Sequence, residues 1–407
     1  MAIEYPIILA HNLLDGATLS SDAPIVPGHE LERMRDGYRH TCWEAPNLDN
    51  QTIYIKSPSI IDNPDFVVDL SGWIVAGDGA ISRNTDNPLE GNADMQANVN
   101  TADDGDNPFY IVNTRPIYLE STKKYTFTIQ VGGGGANTDR LRIGFMKVDT
   151  LEEVEDNYTE FALTTYPEPK SAEHANWYPT TTGWYFVYIR ILQPGTYYLN
   201  SIIVNRARGI DTVIIDAGHT LRFCHLNIDM YDVFPGGGSN YDGIISGDGP
   251  VLIFFDNPSG MPMRCRIQIG TNPGWNNMLP SIPIMCIGQR WTMPHHFSGD
   301  FDPHAEERNE EVSIGERGIT QRFLKFNQRV FRADMKYLTA ADYENVKDFF
   351  MDTENGLKPF YFAWKPTSDP TDILYMRLRG NREVPYYGGT LRNWSFEAEE
   401  VAGTRRI

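Results

Sequence analysis

Thr180-Thr-Thr-Gly-Trp184-Tyr-Phe-Val-Tyr-Ile-Arg-Ile191 places β-branched and aromatic residues immediately behind a polar, glycine-containing turn. Such a run is short for a helix, and its side chains fit a pleated, half-buried surface. Similar runs recur along the chain. Tyr125-Thr-Phe-Thr-Ile129, Thr212-Val-Ile-Ile-Asp216, Val251-Leu-Ile-Phe-Phe255 and Arg264-Cys-Arg-Ile-Gln-Ile269 all read as strands. The 35 glycines and 26 prolines between them act as turn punctuation. One helix stands out. Thr339 and Asp342 form a capping-box-like start, Tyr343, Val346, Phe349 and Phe350 follow at helical spacing, and Gly356 is a plausible stop. This pattern predicts a core-packing helix over 339–353 in a mainly β, multidomain protein, and many short strands with turn signals between them favour sandwiches or barrels.

Composition narrows the function. The chain has 407 residues, 35 basic and 54 acidic, for a net charge of −19. A nucleic-acid binder needs a basic footprint, which this balance does not supply. Hydrophobic residues at 41% argue against disorder. No apolar run reaches the roughly 20 residues needed to span a bilayer, so no membrane insertion is expected. Met1–Leu9 lacks the basic start and small-residue cleavage site of a signal peptide. Cys42, Cys224, Cys265 and Cys286 lie far apart with no zinc spacing, which predicts reduced thiols and no metal site.

Three blocks emerge. The first runs over 1–57 and resumes at 207–282; a second, 58–206, is inserted into it; the third spans 283–407. The inserted block opens with Asn63-Pro-Asp-Phe66 and Ser71-Gly-Trp73. It continues through Ile117-Tyr-Leu119, Tyr125-Thr-Phe127 and Gly183-Trp184, and closes on Gly195-Thr-Tyr-Tyr-Leu-Asn-Ser-Ile-Ile-Val204. Trp73 and Trp184 read as anchors of a two-sheet seam. This order of motifs resembles the β-jelly-roll carbohydrate-binding modules over about 145 residues. The resemblance implies glycan binding on exposed aromatic platforms beside polar groups. Trp177, Tyr178, Tyr166 and Tyr158, all in loop-like polar sequence, are the candidates. Such modules often hold a structural calcium, but Asn200 stands where their last strand often has an aspartate. Asp103-Asp-Gly-Asp106 offers oxygen ligands without full calcium-loop spacing and reads as a solvated turn.

The flanking segments, with Trp43 before one strand and Ile215-Asp-Ala-Gly218 on another, look like a discoidin-like sandwich. His219 reads as a polar contact at a strand end. In the third block, a strand over 322–332 precedes the helix. Lys358-Pro-Phe-Tyr-Phe-Ala-Trp364, Ile373-Leu-Tyr-Met-Arg-Leu-Arg379 and Asn393-Trp-Ser-Phe-Glu-Ala-Glu-Glu-Val401 follow it. This order resembles the tail-hub fold of distal tail and baseplate proteins of long-tailed bacteriophages. That resemblance implies a C-terminal β-barrel flanked by the helix, a homo-oligomeric ring on the tail tube and contacts with other baseplate or fibre proteins. It also implies a place in the virion tail tip, assembled in the host bacterial cytoplasm. Arg322, Lys325, Arg329, Arg332 and Lys336 fit either an inter-subunit rim or a solvated strand face.

Catalytic signatures are missing from the sequence. There is no GxSxG elbow, Walker loop or HExxH, and with 54 acids a carboxylate pair carries no information. His295-His296 through Asp300, Asp302, His304 and Glu306 is proline-broken, without helical ligand spacing, and reads as an inter-domain or inter-subunit loop. The expectation is therefore a non-enzymatic tail-tip protein that presents its insert to host-surface glycans. The alternatives are an adaptor that docks tail fibres, or a glycan-degrading enzyme with accessory β modules.

Overall fold

The computed structural model describes residues 4–401 except 11, 13, 16, 36–41, 48, 57–58, 60–65, 67–68, 87–92, 102–107, 122, 134–139, 152, 163–169, 207–209, 217–220, 223, 232–239, 246–249, 256–263, 271–278, 298–300, 315–319 and 386–390. Among these residues the chain is mainly β, with a single α-helix, and all strand pairs are antiparallel.

Residues between Phe66 and Arg206 form two sheets around one core. One sheet orders its strands Lys170–Trp177, Tyr125–Gly133, Gly195–Arg206, Asp94–Val99 and Gly79–Asn84. The other orders Glu153–Ala162, Arg140–Lys147, Gly183–Ile191, Phe109–Asn113 and Trp73–Ala76, with Ile117–Leu119 also paired to Gly183–Ile191. Phe66, Trp73, Ile111, Phe127, Phe145, Val187 and Leu199 belong to the core between them. Strand alternation explains the packing. In Gly183–Ile191, Tyr185, Val187, Ile189 and Ile191 face inward at period two.

A second core gathers residues from both sides of the insert, including Trp43, Ile53, Ile55, Val213, Ile228, Ile267 and Met285. Its five-stranded sheet orders Asn240–Ile244, His225–Tyr231, Arg264–Gly270, Gln51–Lys56 and Thr18–Ser21. A three-stranded sheet of Val251–Phe254, Thr212–Asp216 and Ile284–Gly288 and a two-stranded one of Ser281–Ile282 and Trp43–Glu44 complete it.

The seven-stranded C-terminal sheet runs Trp291–Thr292, Ile7–Leu9, Phe360–Ala363, Ile373–Glu383, Arg392–Glu400, Thr320–Leu338 and Glu306–Ile314. Ile7–Leu9, expected in the first block, thus pairs in the C-terminal sheet. Ile284–Gly288, expected in the third block, pairs with Thr212–Asp216. Both strands are buried throughout because they lie between two apolar layers. Met285 and Ile287 face the second core, while Ile284 and Cys286 meet Ile7, Leu9, Tyr361 and Tyr375 in a joint between the sheets. Phe360 and Phe362 point the other way, into the third core.

The helix spans Ala340–Asp352 and is capped as its sequence predicts. Thr339 Oγ1 accepts from the Asp342 backbone N–H at 3.2 Å, and Asp342 Oδ2 accepts from the Thr339 N–H at 2.9 Å. Its buried face, Val346, Phe349 and Phe350, lies in the core around Trp394. Trp394 stacks on Phe396 at 4.5 Å and on Trp291 at 5.6 Å. Beyond the helix, Gly356 has φ +91°, and an added Cβ there would meet Leu378 Cβ at 2.9 Å. Only glycine fits this return without strain. On the strand before the helix, Phe331, Ala333 and Met335 are buried while Arg332 and Lys336 are exposed.

Candidate functional site: an aromatic face on the insert

The two loop tryptophans of the insert exchange the roles their sequence suggests. Trp177 ends the strand Lys170–Trp177 and is only 6% exposed. It stacks on Phe145 at 4.2 Å with ring planes 9° apart, and meets Tyr185 edge-on at 5.8 Å. Enclosed by core rings, it presents no face to a sugar and is a core residue, not the platform its loop-like sequence suggests. Trp184, expected in the seam, is 55% exposed. Parity is the cause. Tyr185, Val187, Ile189 and Ile191 claim the inward face, and Trp184 shares the outward one with Arg190. Trp73 is buried in the core as expected.

Directly across the ladder from Trp184 is Tyr118, 53% exposed. The two rings lie 5.3 Å apart at 67°. On the same outward face, Tyr110 pairs across from Arg190, whose guanidinium sits 5.3 Å over the Tyr110 ring. Tyr110 also meets Tyr188 edge-on at 5.7 Å. Tyr188 is fully buried, so the accessible part of this row is the Tyr118–Trp184 pair.

Two turns hold the exposed end of the row. The Ser121 backbone N–H donates to Thr182 Oγ1 at 3.0 Å, and the two hydroxyls lie 3.0 Å apart. Tyr185 O–H donates to the Thr181 carbonyl at 2.6 Å, and the Glu120 N–H donates to Tyr125 Oη at 3.0 Å. Tyr178, a sequence candidate, is 49% exposed, with Lys124 Nζ 5.3 Å from its ring centre. The backbone of Tyr158 pairs opposite Gly144, but its side chain and all of Tyr166 lie outside the described residues. The structure therefore keeps Tyr178 as an exposed ring, removes Trp177, and adds Tyr118 and Trp184. The outward position of Trp184 was legible from Arg190 at the same parity.

The remaining sequence candidates have structural roles or lie outside the described residues. Asn200 is fully buried, and its Nδ2 donates to the Ala93 carbonyl at 3.0 Å and to Asp94 Oδ1 at 2.7 Å. Asp103, Asp104, Asp106, His219 and Asp300 fall outside the described residues. In the histidine-rich segment, Phe297 and Phe301 pack against Phe362 at 5.9 and 6.1 Å. His304 Nε2 lies 3.3 Å from Asp372 Oδ2, and Asp372 also holds Arg329 at 3.2 Å and Trp364 Nε1 at 2.7 Å. This segment fastens onto the C-terminal sheet.

All four cysteines are free. Burial pushes the thiols of Cys224, Cys265 and Cys286 up, which leaves them inert. A cavity of about 280 Å³ at the joint is lined by Asn12, Arg35, Lys358, Tyr361 and Arg377. Arg35 donates there to the carbonyls of Leu14 and Ala17 at 2.6 and 2.8 Å. Lys358 pairs with Asp15 at 3.2 Å and Glu354 at 3.1 Å, so these two cations serve the joint itself. Among the described residues, no helix is long and apolar enough to cross a membrane.

No protein-family model and no curated protein matches this chain. Solved structures do show similarity. A carbohydrate-binding module, TmCBM61 in complex with β-1,4-galactotriose, is 18% identical over 37% of this chain and 99% of its own, with a TM-score of 0.29. A domain of bacteriophage CBA120 tailspike protein 4 is 12% identical over 36% of this chain and 21% of its own, at 0.30. An arabinose-bound α-L-arabinofuranosidase, MgGH51, is 14% identical over 36% of this chain, at 0.32, and the match spans 26% of that enzyme. At these identities and scores, function has to be argued from this chain's own residues.

Proposed function

We propose that this chain is a structural and host-recognition component of a bacteriophage tail tip. In this reading the C-terminal sheet and helix build a ring of identical subunits at the distal end of the tail tube, and the insert holds host-surface glycans. The observation that carries the glycan part is the outward pair Tyr118–Trp184, with more than half of each residue in solvent. The two rings side by side offer a flat apolar surface with polar edges, onto which a ligand of matching shape can stack. The C–H face of a pyranose is such a ligand. Ser121 and Thr182, in the turns next to the two rings, supply partners for its hydroxyls.

The ring part rests on the order of elements in the C-terminal sheet and on its edge. Among the described residues, Glu306–Ile314 pairs only with Thr320–Leu338, which leaves its outer backbone groups for a neighbour. Many weak glycan sites around a ring gain avidity without tight single-site binding. The reading assigns no catalysis to the chain, and free buried thiols suit assembly in a reducing cytoplasm.

The test combines electron microscopy of the purified chain with binding to bacterial cells. The reading predicts closed rings, and binding that survives Trp177→Phe and fails in a Tyr118→Ala/Trp184→Ala double variant. Rings that bind cells equally well without both rings would reduce the chain to an adaptor. Release of reducing sugar from the cells would replace the reading with an enzyme.

A further inference from the structure

Away from the aromatic face, His29, Cys42 and Glu44 bring three different ligand atoms within 4.8 Å of one another. Cys42 Sγ is 3.5 Å and Glu44 Oε2 3.9 Å from His29 Nδ1. Each side chain is placed by its local structure. Trp43 is buried, and its strand pairs with Ser281–Ile282, so its neighbours Cys42 and Glu44 fall together on the opposite side of the chain. His29 follows a tight turn in which Gly28 takes φ +86° and the His29 N–H donates to the Val26 carbonyl at 2.9 Å. The Gly28 N–H donates to Glu30 Oε1 at 3.0 Å, which fixes the same turn.

We propose that His29, Cys42 and Glu44 form a zinc-class metal site, with solvent as the fourth ligand. Three features support it. First, a tetrahedral zinc with Zn–S of about 2.3 Å and Zn–N of about 2.0 Å separates sulfur and nitrogen by about 3.5 Å. The observed Cys42–His29 separation matches that value. Second, both sulfur and carboxylate approach the same ring nitrogen. A nucleophilic Cys–His–acid relay would place them on opposite nitrogens, whereas a shared metal needs them on one side. Third, thiolate, imidazole and carboxylate together suit zinc better than calcium or magnesium, which take oxygen ligands alone. The His29 and Glu44 side chains are 38% and 33% exposed, so an ion and a bound water can reach the site. Binding requires Nδ1 without a proton, exchanging its contact with the Cys42 carbonyl at 3.1 Å for the metal. The thiol proton of Cys42 leaves to solvent as the metal–sulfur bond forms.

The test uses the full chain, stripped of metal with a chelator, and cobalt(II) as a spectroscopic stand-in for zinc. The site predicts one equivalent of cobalt, a near-ultraviolet thiolate-to-cobalt band, and displacement by zinc. Cys42→Ser removes the sulfur band, and His29→Gln weakens binding by more than about tenfold, the scale seen when even outer-shell partners are lost. His296→Gln, an exposed histidine elsewhere, leaves both unchanged. Circular dichroism of each variant confirms folding, and Glu44→Gln supplies a further variant if Cys42→Ser does not fold. A folded wild-type chain without the sulfur band, or one whose cobalt affinity is the same in Cys42→Ser and His29→Gln, would overturn the site.

Discussion

Trp177 and Trp184 stand seven residues apart, on either side of one turn, and the fold uses them in opposite ways. Trp177 closes the core between Phe145 and Tyr185, whereas Trp184 stands on the outer face beside Tyr118. The residues are chemically identical, so the difference lies in register. Trp177 pairs opposite Tyr125 in a strand of the five-stranded sheet, while Trp184 has the parity of Arg190 in the other sheet. A buried indole contributes packing, and an exposed one contributes a surface for something else to pack on.

This contrast orders the expected effects of substitution. Trp177→Ala should be the most damaging. It empties a site lined by rigid aromatic rings and should cost about 3–5 kcal/mol, the usual price of such a truncation, measured by denaturant unfolding of the full chain. A loss below about 1 kcal/mol would break the contrast, because it would mean that Trp177 is not part of the core. Thr339→Ala sharpens the comparison at a distance. It removes the helix cap, should cost about 1 kcal/mol, and should leave glycan binding intact.

An effect of similar size concerns how the insert is seated. Lys123 Nζ lies 2.7 Å from Asp348 Oδ1 on the C-terminal helix, next to the turn that holds Tyr118. Lys123→Met should cost about 1 kcal/mol, the upper end for an exposed ion pair, because the lysine side chain is only 12% exposed, and it should make the insert more susceptible to limited proteolysis with its core undisturbed. Trp184→Ala should change stability least, by no more than about 0.5 kcal/mol, as for an exposed residue.

A pH series adds a different kind of probe. Burial of Glu4 works against its charge, but hydrogen bonds from Ser368 and Thr367 outweigh it and hold the carboxyl below its ordinary range. With the folded value below the unfolded one, the contribution is complete above the unfolded pKa and is lost as pH falls through the folded one. The melting-temperature difference between wild type and Glu4→Gln should therefore shrink on acidification. A difference that grew in acid would place the shift in the opposite direction.

Much of the fold was legible from local pattern. The strands of the insert, the capping box of Thr339 and Asp342, the buried Trp73 and the return at Gly356 follow from side-chain period, cap chemistry and backbone freedom. What was less legible depends on partners distant in sequence. Ile7–Leu9 joins a strand more than 350 residues later, and only its burial on both faces reveals that it is sandwiched between layers. The aromatic face was half legible. Trp184 looked like a core residue because it is large and begins a strand. The charge of Arg190 at the same parity marked that face as outward. The grouping of His29, Cys42 and Glu44 has no diagnostic spacing, because a turn and a strand on separate stretches bring the three together.

The most direct test of the account is a calorimetric titration of the intact chain with polysaccharide from the surface of susceptible bacteria, run in parallel on Trp184→Ala with the melting temperature of both proteins recorded. The account predicts saturable binding by the wild type and at least a tenfold loss in Trp184→Ala, with the two melting temperatures nearly equal. Undiminished binding by a normally folded Trp184→Ala would contradict it, because the exposed ring would then not be the surface that meets the glycan.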